Sequence, residues 1–127
     1  MIVDTDVFIW AMRGKIQALE FLDSLDCIYI SDVTYMELTQ GTRSKKEFGE
    51  LKKALDYMEV SIIPINTEIS KKAVELVENF CHSHSMQLAD ALIGATAIIY
   101  KMPLSTGNIK HFSPIEKLEI EHFNIES

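Results

Sequence analysis

The sequence predicts an α/β fold, a single domain over residues 1–127 with a mainly parallel sheet of four or five short strands flanked by helices. Three observations predict it. Short β-prone runs alternate with segments of helical periodicity along the chain. Cap and stop residues punctuate those segments where helices should begin and end. The length, with 47% hydrophobic and 24% charged residues, is that of one folded unit around one core.

The elements follow in order. Met1-Ile2-Val3 is a short apolar run that ends at Asp4 and Asp6, and Val7 to Met12 then reads as a helix. A second amphipathic helix is expected over Ile16 to Leu25, with Ala18, Leu19, Leu22 and Leu25 on one side, followed by a strand over Cys27 to Ile30. Ser31 or Asp32 caps a helix from Val33 to Gln40 that stops at Gly41, and Lys45 to Tyr57 forms another before a strand over Val60 to Ile63. Asn66 or Thr67 caps a long helix to about His82. A further helix runs from about Met86 to Tyr100, Pro103-Leu104-Ser105 is a short strand, and a last strand lies within Leu118 to Phe123.

The formal net charge of −7 argues against a surface built to hold nucleic acid non-specifically. A nucleic-acid role needs either cations that neutralise an acidic site or a rim that gathers Arg13, Lys15, Arg43, Lys45, Lys46, Lys52 and Lys53. No apolar run reaches the roughly 20 residues of a membrane-spanning helix, and the opening MIVDTDV lacks the basic and apolar regions of a signal peptide. A cytoplasmic location with no membrane partner is the expectation. Cys27 and Cys81 have neither metal nor redox spacing and are expected to be reduced core thiols.

In an α/β fold the functional groups gather beyond the carboxyl ends of the strands, and that rule selects residues here. Asp4 and Asp6 follow the first strand, Glu37 sits one turn into the helix after the second, and Thr106 and Asn108 follow the fourth. Asp90 is the only formal charge between Asn79 and Tyr100, in the apolar stretch LADALIGATAIIY, and burial is expected for it. Each has an ordinary explanation when taken alone: Asp4 and Asp90 as residues at helix starts, Asp6 as a cap, Glu37 as a solvated helix position. Together they place acids at the same edge from separate βα units. Clustered carboxylates repel one another, and a bound cation is what makes such a cluster stable at neutral pH. All-oxygen ligation without Cys or His selects Mg²⁺ or Mn²⁺ over zinc.

Four segments, MIVDTDVFIW, SDVTYMELTQG, LADALIGATA and LSTGNIKHF, give the chain a resemblance to the PIN-domain ribonucleases, and in particular to the VapC toxins of toxin–antitoxin pairs. The likeness spans nearly the whole chain. It implies a PIN-like three-layer fold and hydrolysis of RNA phosphodiesters with Mg²⁺ or Mn²⁺. The family pattern falls on Asp4, Glu37 and Asp90 as catalytic, metal-holding residues, with Asn108 at the fourth metal position and Thr106 as the hydroxyl residue beside the site. The neutral Asn108 implies weaker binding of a second metal. Asp6, a position that is often Asn in the family, either adds a charge or caps the helix. The resemblance also implies an RNA substrate, a cognate antitoxin protein and a homodimer.

Two other functions fit parts of the sequence. Val3-Asp4-Thr5-Asp6-Val7 matches the nucleophile signature of haloacid-dehalogenase-like phosphatases, although the later motifs of that family are missing and the chain is short for its fold. A receiver-type signalling module has similar length and acidity, but needs a phospho-acceptor Asp after the third strand, where this chain has Pro64-Ile65-Asn66. The remaining features have bland explanations as the default. Cys81, His82 and His84 suit a solvated helix end better than a zinc site, His111 sits either near the acids or on the surface, and Trp10, Tyr35, Met36 and Phe112 are expected to pack in the core rather than line a groove.

Overall fold

The computed structural model describes residues 1–124. Its strands are β1 (Ile2–Val3), β2 (Tyr29–Ser31), β3 (Ser61–Ile63), β4 (Leu104–Thr106) and β5 (Ile120–His122). The helices are α1 (Thr5–Met12), α2 (Ile16–Ser24), α3 (Asp32–Gln40), α4 (Lys45–Tyr57), α5 (Thr67–His84), α6 (Leu88–Tyr100) and the short α7 (Ile109–Phe112). All pairings are parallel, in the order β3-β2-β1-β4-β5. No helix among the described residues is long and apolar enough to cross a membrane.

Alternation along each strand makes the three layers. Ile2 and Leu104 point into a core built with α5 and α6, among Ile69, Leu76, Ile93 and Phe112, while Val3 and Ile30 point to the opposite face among Val7, Phe8, Leu22 and Leu51. Both faces of the sheet are therefore covered, which is why the strands read as continuous apolar runs rather than as alternating ones. Helix α3 joins the layers, since its Val33 belongs to the first core and its Leu38 to the second. The PIN-like three-layer expectation is met.

The helix starts follow local chemistry. Ser31 caps α3 by accepting from the N–H of Val33, Ser44 caps α4 through Glu47, and Asn66 caps α5 through Ile69. The first helix differs from expectation: it begins at Thr5 with Asp4 as its N-cap, two residues earlier than Val7, so that Asp6 lies in its first turn. The carboxylate of Asp4, which accepts from the N–H of Thr5, starts the helix before its apolar run begins. Helix α7 was not expected, because four residues carry no periodic signal. The thiols also correct the sequence-based picture: Cys27 is exposed and Cys81 only half-buried. Cys27 precedes the strand rather than opening it, so the alternation that would have carried it inward does not reach it.

Candidate metal centre

The strand order reverses between β1 and β4, with β2 and β3 on one side and β5 on the other. The crevice outside the carboxyl ends at such a point is where open α/β sheets place their sites. Here that position belongs to Asp4 and Asp6 after β1 and to Thr106, Gly107 and Asn108 at the end of β4. Adjacent strands bring together residues separated by a hundred positions.

Asp4 is the innermost group, 5% exposed. Its Oδ1 accepts from the N–H of Thr5 at 2.8 Å and its Oδ2 from the hydroxyl of Thr106 at 2.7 Å. The hydroxyl of Thr106 in turn accepts from the N–H of Asn108 at 2.9 Å, which fixes the direction of its proton toward Asp4. Burial pushes the Asp4 carboxyl up to about 7, and the negative fields of Asp6 and Asp90 push the same way, against the two hydrogen bonds. Asp6 is also raised, chiefly by burial. Its Oδ2 accepts from the N–H of Gly107 at 2.9 Å, whereas its Oδ1 is buried without a well-formed hydrogen bond among the described residues.

Glu37 is tied to this cluster through a hydroxyl. Thr5 donates to Oε1 of Glu37 at 2.7 Å, and with that proton engaged it meets the hydroxyl of Thr34 at 3.0 Å. Thr34 lies one turn before Glu37 on α3, fully buried. Asp90, at the start of α6, accepts from the N–H of Gln87 at 3.3 Å, and its Oδ1 lies 3.4 Å from Nδ1 of His111. Its side chain is 15% exposed, so it stands at the rim rather than in the core that its apolar neighbours suggested. Leu88 and Ala89, on the same turn, lie partly in solvent, which is why an apolar sequence here did not mean full burial. Asn108 is exposed, and the contact seen for it is its backbone bond to Thr106.

The sequence-based candidates thus divide. Asp6 and Asp90 act electrostatically on Asp4, Glu37 is linked through Thr5, and Thr106 holds Asp4 directly. His111, left open between site and surface, stands beside Asp90 and lowers the Asp6 carboxyl by its charge. Thr5, Thr34 and Gly107 were missed. A hydroxyl one turn before Glu37, and another between two aspartates, were the signals available for the first two. Of the aromatic and sulfur-bearing residues, Phe112 is core, Trp10 and Tyr35 are half-buried and Met36 is exposed.

Could these groups hold a cation? Among the described residues, no three His, Cys, Asp or Glu side chains form a closed metal cage, and that includes Cys81, His82 and His84. The donor set does suit a hard cation that keeps several of its waters and takes only one or two carboxylates directly. Two observations support that fit. Asp6 Oδ1 is a buried acceptor that makes no well-formed hydrogen bond among the described residues, with only weak approaches to the carboxylate from the N–H groups of Val7 and of Asp6 itself. Asp4 is a buried carboxyl whose charge is disfavoured by burial and by its acidic neighbours. A divalent cation would relieve both.

Gly107 donates its N–H to Asp6, and a side chain at this position would force a shift. A Cβ there would lie 2.7 Å from Oδ2 of Asp6 and 3.1 Å from the backbone oxygen of Phe123. Gly107→Ala is expected to lower stability by about 1–3 kcal/mol, the usual cost of overpacking, and to displace the Asp6 carboxylate. Urea unfolding would show it; an unchanged midpoint would mean that the loop yields freely.

The fold and the site define an all-parallel α/β protein with an acidic cluster at its topological switch point. The model of the PIN domain matches residues 1–116, and the chain belongs to the PIN-domain family. Among its relatives, Ribonuclease VapC10 of Mycobacterium tuberculosis (strain ATCC 25618 / H37Rv) is 32% identical over 123 residues, covering 94% of this chain and 90% of that protein. Ribonuclease VapC of Rickettsia bellii (strain RML369-C) is 29% identical over 126 residues, covering 94% and 93%. Among solved structures, a toxin–antitoxin complex from Klebsiella pneumoniae aligns at TM-score 0.74 with 29% identity, over 92% of this chain and 93% of that one. DNA-bound VapBC from Salmonella typhimurium aligns at TM-score 0.78 over 95% and 96%, and at 19% identity it speaks for the fold alone. The resemblance noted in the sequence is borne out, and the phosphatase and receiver alternatives fall away.

Proposed function

We propose that this protein is a divalent-cation-dependent endoribonuclease and the toxin of a type II toxin–antitoxin pair. The observation that carries the reading is a buried Asp4, with Asp6 and Asp90 acting on it, at the switch point of a fold whose relatives are named Ribonuclease VapC. Asp4, Glu37 and Asp90 are the residues assigned to hold Mg²⁺ or Mn²⁺, with Asn108 as a neutral fourth group. When bound, the cation supplies Lewis-acid polarisation of a phosphoryl oxygen and of the attacking water.

The chain's own residues do the rest. Thr106 and the Thr5 N–H keep both oxygens of Asp4 in one orientation, and the hydroxyl of Thr5 does the same for Glu37. Holding ligands rigid before substrate arrives lowers the reorganisation needed during reaction. Asp6, bonded to Gly107, contributes charge beside the site and ties the β1 and β4 ends together. Asp90 and His111 sit at the rim as a carboxylate–imidazole pair in reach of incoming groups.

A nuclease of this kind needs restraint, and the Klebsiella pneumoniae neighbour is a toxin–antitoxin complex. A partner that reaches the acidic cluster with an Arg would form bidentate bonds to its carboxylates and take over the electrostatic role of the cation. Its binding should then compete with metal.

The test is direct. Purified protein should cleave RNA with Mg²⁺ or Mn²⁺ and stop when EDTA is added, and Asp90→Asn should lose cleavage while keeping its circular dichroism spectrum. Cleavage that survives EDTA would sink the cation dependence. A wild-type rate in Asp90→Asn would remove that residue from the site.

A further inference from the structure

Phosphate must approach a site made of carboxylates on a chain of net charge −7, so positive groups outside the cluster have to contribute to holding it. One stretch of the chain is built for that. From Val7 to Leu19 there is no acidic residue, and the two charges present, Arg13 and Lys15, are both positive. The structure draws both onto one aromatic ring: Cζ of Arg13 lies 5.5 Å and Nζ of Lys15 5.8 Å from the centre of the Trp10 ring.

The turn between α1 and α2 produces this grouping. Gly14 takes φ of +81°, a left-handed conformation that a side chain would strain, and the N–H groups of both Arg13 and Lys15 close on the carbonyl of Trp10. The chain thereby doubles back across the indole. Trp10 is half-buried and packs against the core beneath α1, which holds the ring still. Both cations are exposed, and among the described residues neither takes part in an ion pair.

Position along α1 connects this patch to the acids. Asp6, Trp10 and Arg13 are spaced by four and then three residues, which puts them on one helix face, and the run from Asp6 to Arg13 extends about 10 Å along the axis. A fixed aromatic flanked by a guanidinium and an ammonium is the combination that grips single-stranded nucleic acid. The cations meet phosphates, and the guanidinium plane backed by the indole offers a surface on which a base can stack, with the ring sensing the change.

We propose that Trp10, Arg13 and Lys15 form a subsite that holds single-stranded RNA beside the acidic cluster, so that the phosphate to be cleaved is delivered from the α1 side. This rests on the ribonuclease reading. The three are positioning residues, and their loss weakens substrate binding without altering the reacting groups.

Trp10 is the one tryptophan of the chain, so its fluorescence reports on the subsite alone. A short mixed-sequence single-stranded RNA is titrated into Asp90→Asn in Mg²⁺, and cleavage of the same RNA is measured for wild type and for Arg13→Ala/Lys15→Ala. RNA should change the Trp10 emission saturably. The double variant, altered only at exposed positions, should raise KM on the order of tenfold with kcat nearly constant, and its salt dependence of binding should flatten by about one to two charges. RNA that binds by anisotropy while Trp10 emission stays constant overturns the subsite and leaves the ribonuclease reading intact, with the exposed Ile9, Met12 and Ile16 beside it then open to a protein partner. A wild-type KM and salt slope in the double variant has the same consequence. Failure of the wild type to cleave any RNA with either cation defeats the ribonuclease reading, and the subsite falls with it.

Discussion

Asp4→Asn is expected to lower RNA cleavage on the order of 10³-fold or more, equivalent to about 4 kcal/mol of barrier, while leaving the fold intact. The amide occupies the same space, and its bonding can be met. Its oxygen can accept from the Thr5 N–H as Oδ1 of Asp4 does now, and its NH₂ can donate to the Thr106 hydroxyl, which has a second lone pair beside the one used by Asn108. What disappears is the charge. Asp4 is the most buried carboxyl of the cluster, and without its charge a cation at this position meets only a neutral oxygen. Cleavage within tenfold of wild type, with an unchanged fold, would show that Asp4 is a helix cap and no more.

The same residue should write a pH dependence into the metal-free protein. In the unfolded chain Asp4 ionises near its ordinary 3.8, whereas in the folded protein burial and its acidic neighbours hold it to about 7. Between those values the unfolded state binds fewer protons than the folded one, so stability falls as pH rises across the window and levels off above it. At about 1.4 kcal/mol per unit the loss amounts to a few kcal/mol, and Asp6, raised by its own burial, adds in the same direction. Asp4→Asn should therefore flatten the profile and melt higher than wild type in EDTA at pH 8. A divalent cation competes with the proton for the same oxygens, so its stabilisation by mass action, about 2.7 kcal/mol at a hundredfold excess over Kd, should be larger at pH 8 than at pH 5.5. Thermal melts at the two pH values, with and without Mg²⁺ or Mn²⁺, decide this. A cation shift that is equal at both, or that persists unchanged in Asp4→Asn, would place the cation elsewhere.

The order of strands and helices was legible in the residues because the signals are local. Ser31, Asn66 and Gly41 act within one helical turn, and the helix over Lys45–Tyr57 runs between a serine cap and the end of its own apolar stripe. The acidic candidates were legible for a related reason: the rule that α/β sites lie after strand ends, together with the four family-like segments, needs only strand positions and residue types. Which strands are neighbours is a different kind of fact. The pairing of β1 with β4 sets Thr106 against Asp4 across 102 residues and the Gly107 N–H against Asp6 across 101, and no periodicity reports such a partnership. Thr5, Thr34 and Glu37 form their chain only because α1 and α3 pack against each other, and His111 reaches Asp90 only through a helix too short to predict. The exposures of Cys27 and Asp90 went against expectation on the same ground. Composition and periodicity describe what a segment prefers, whereas burial, hydrogen-bond partners and the raised Asp4 carboxyl depend on what other segments are packed against it.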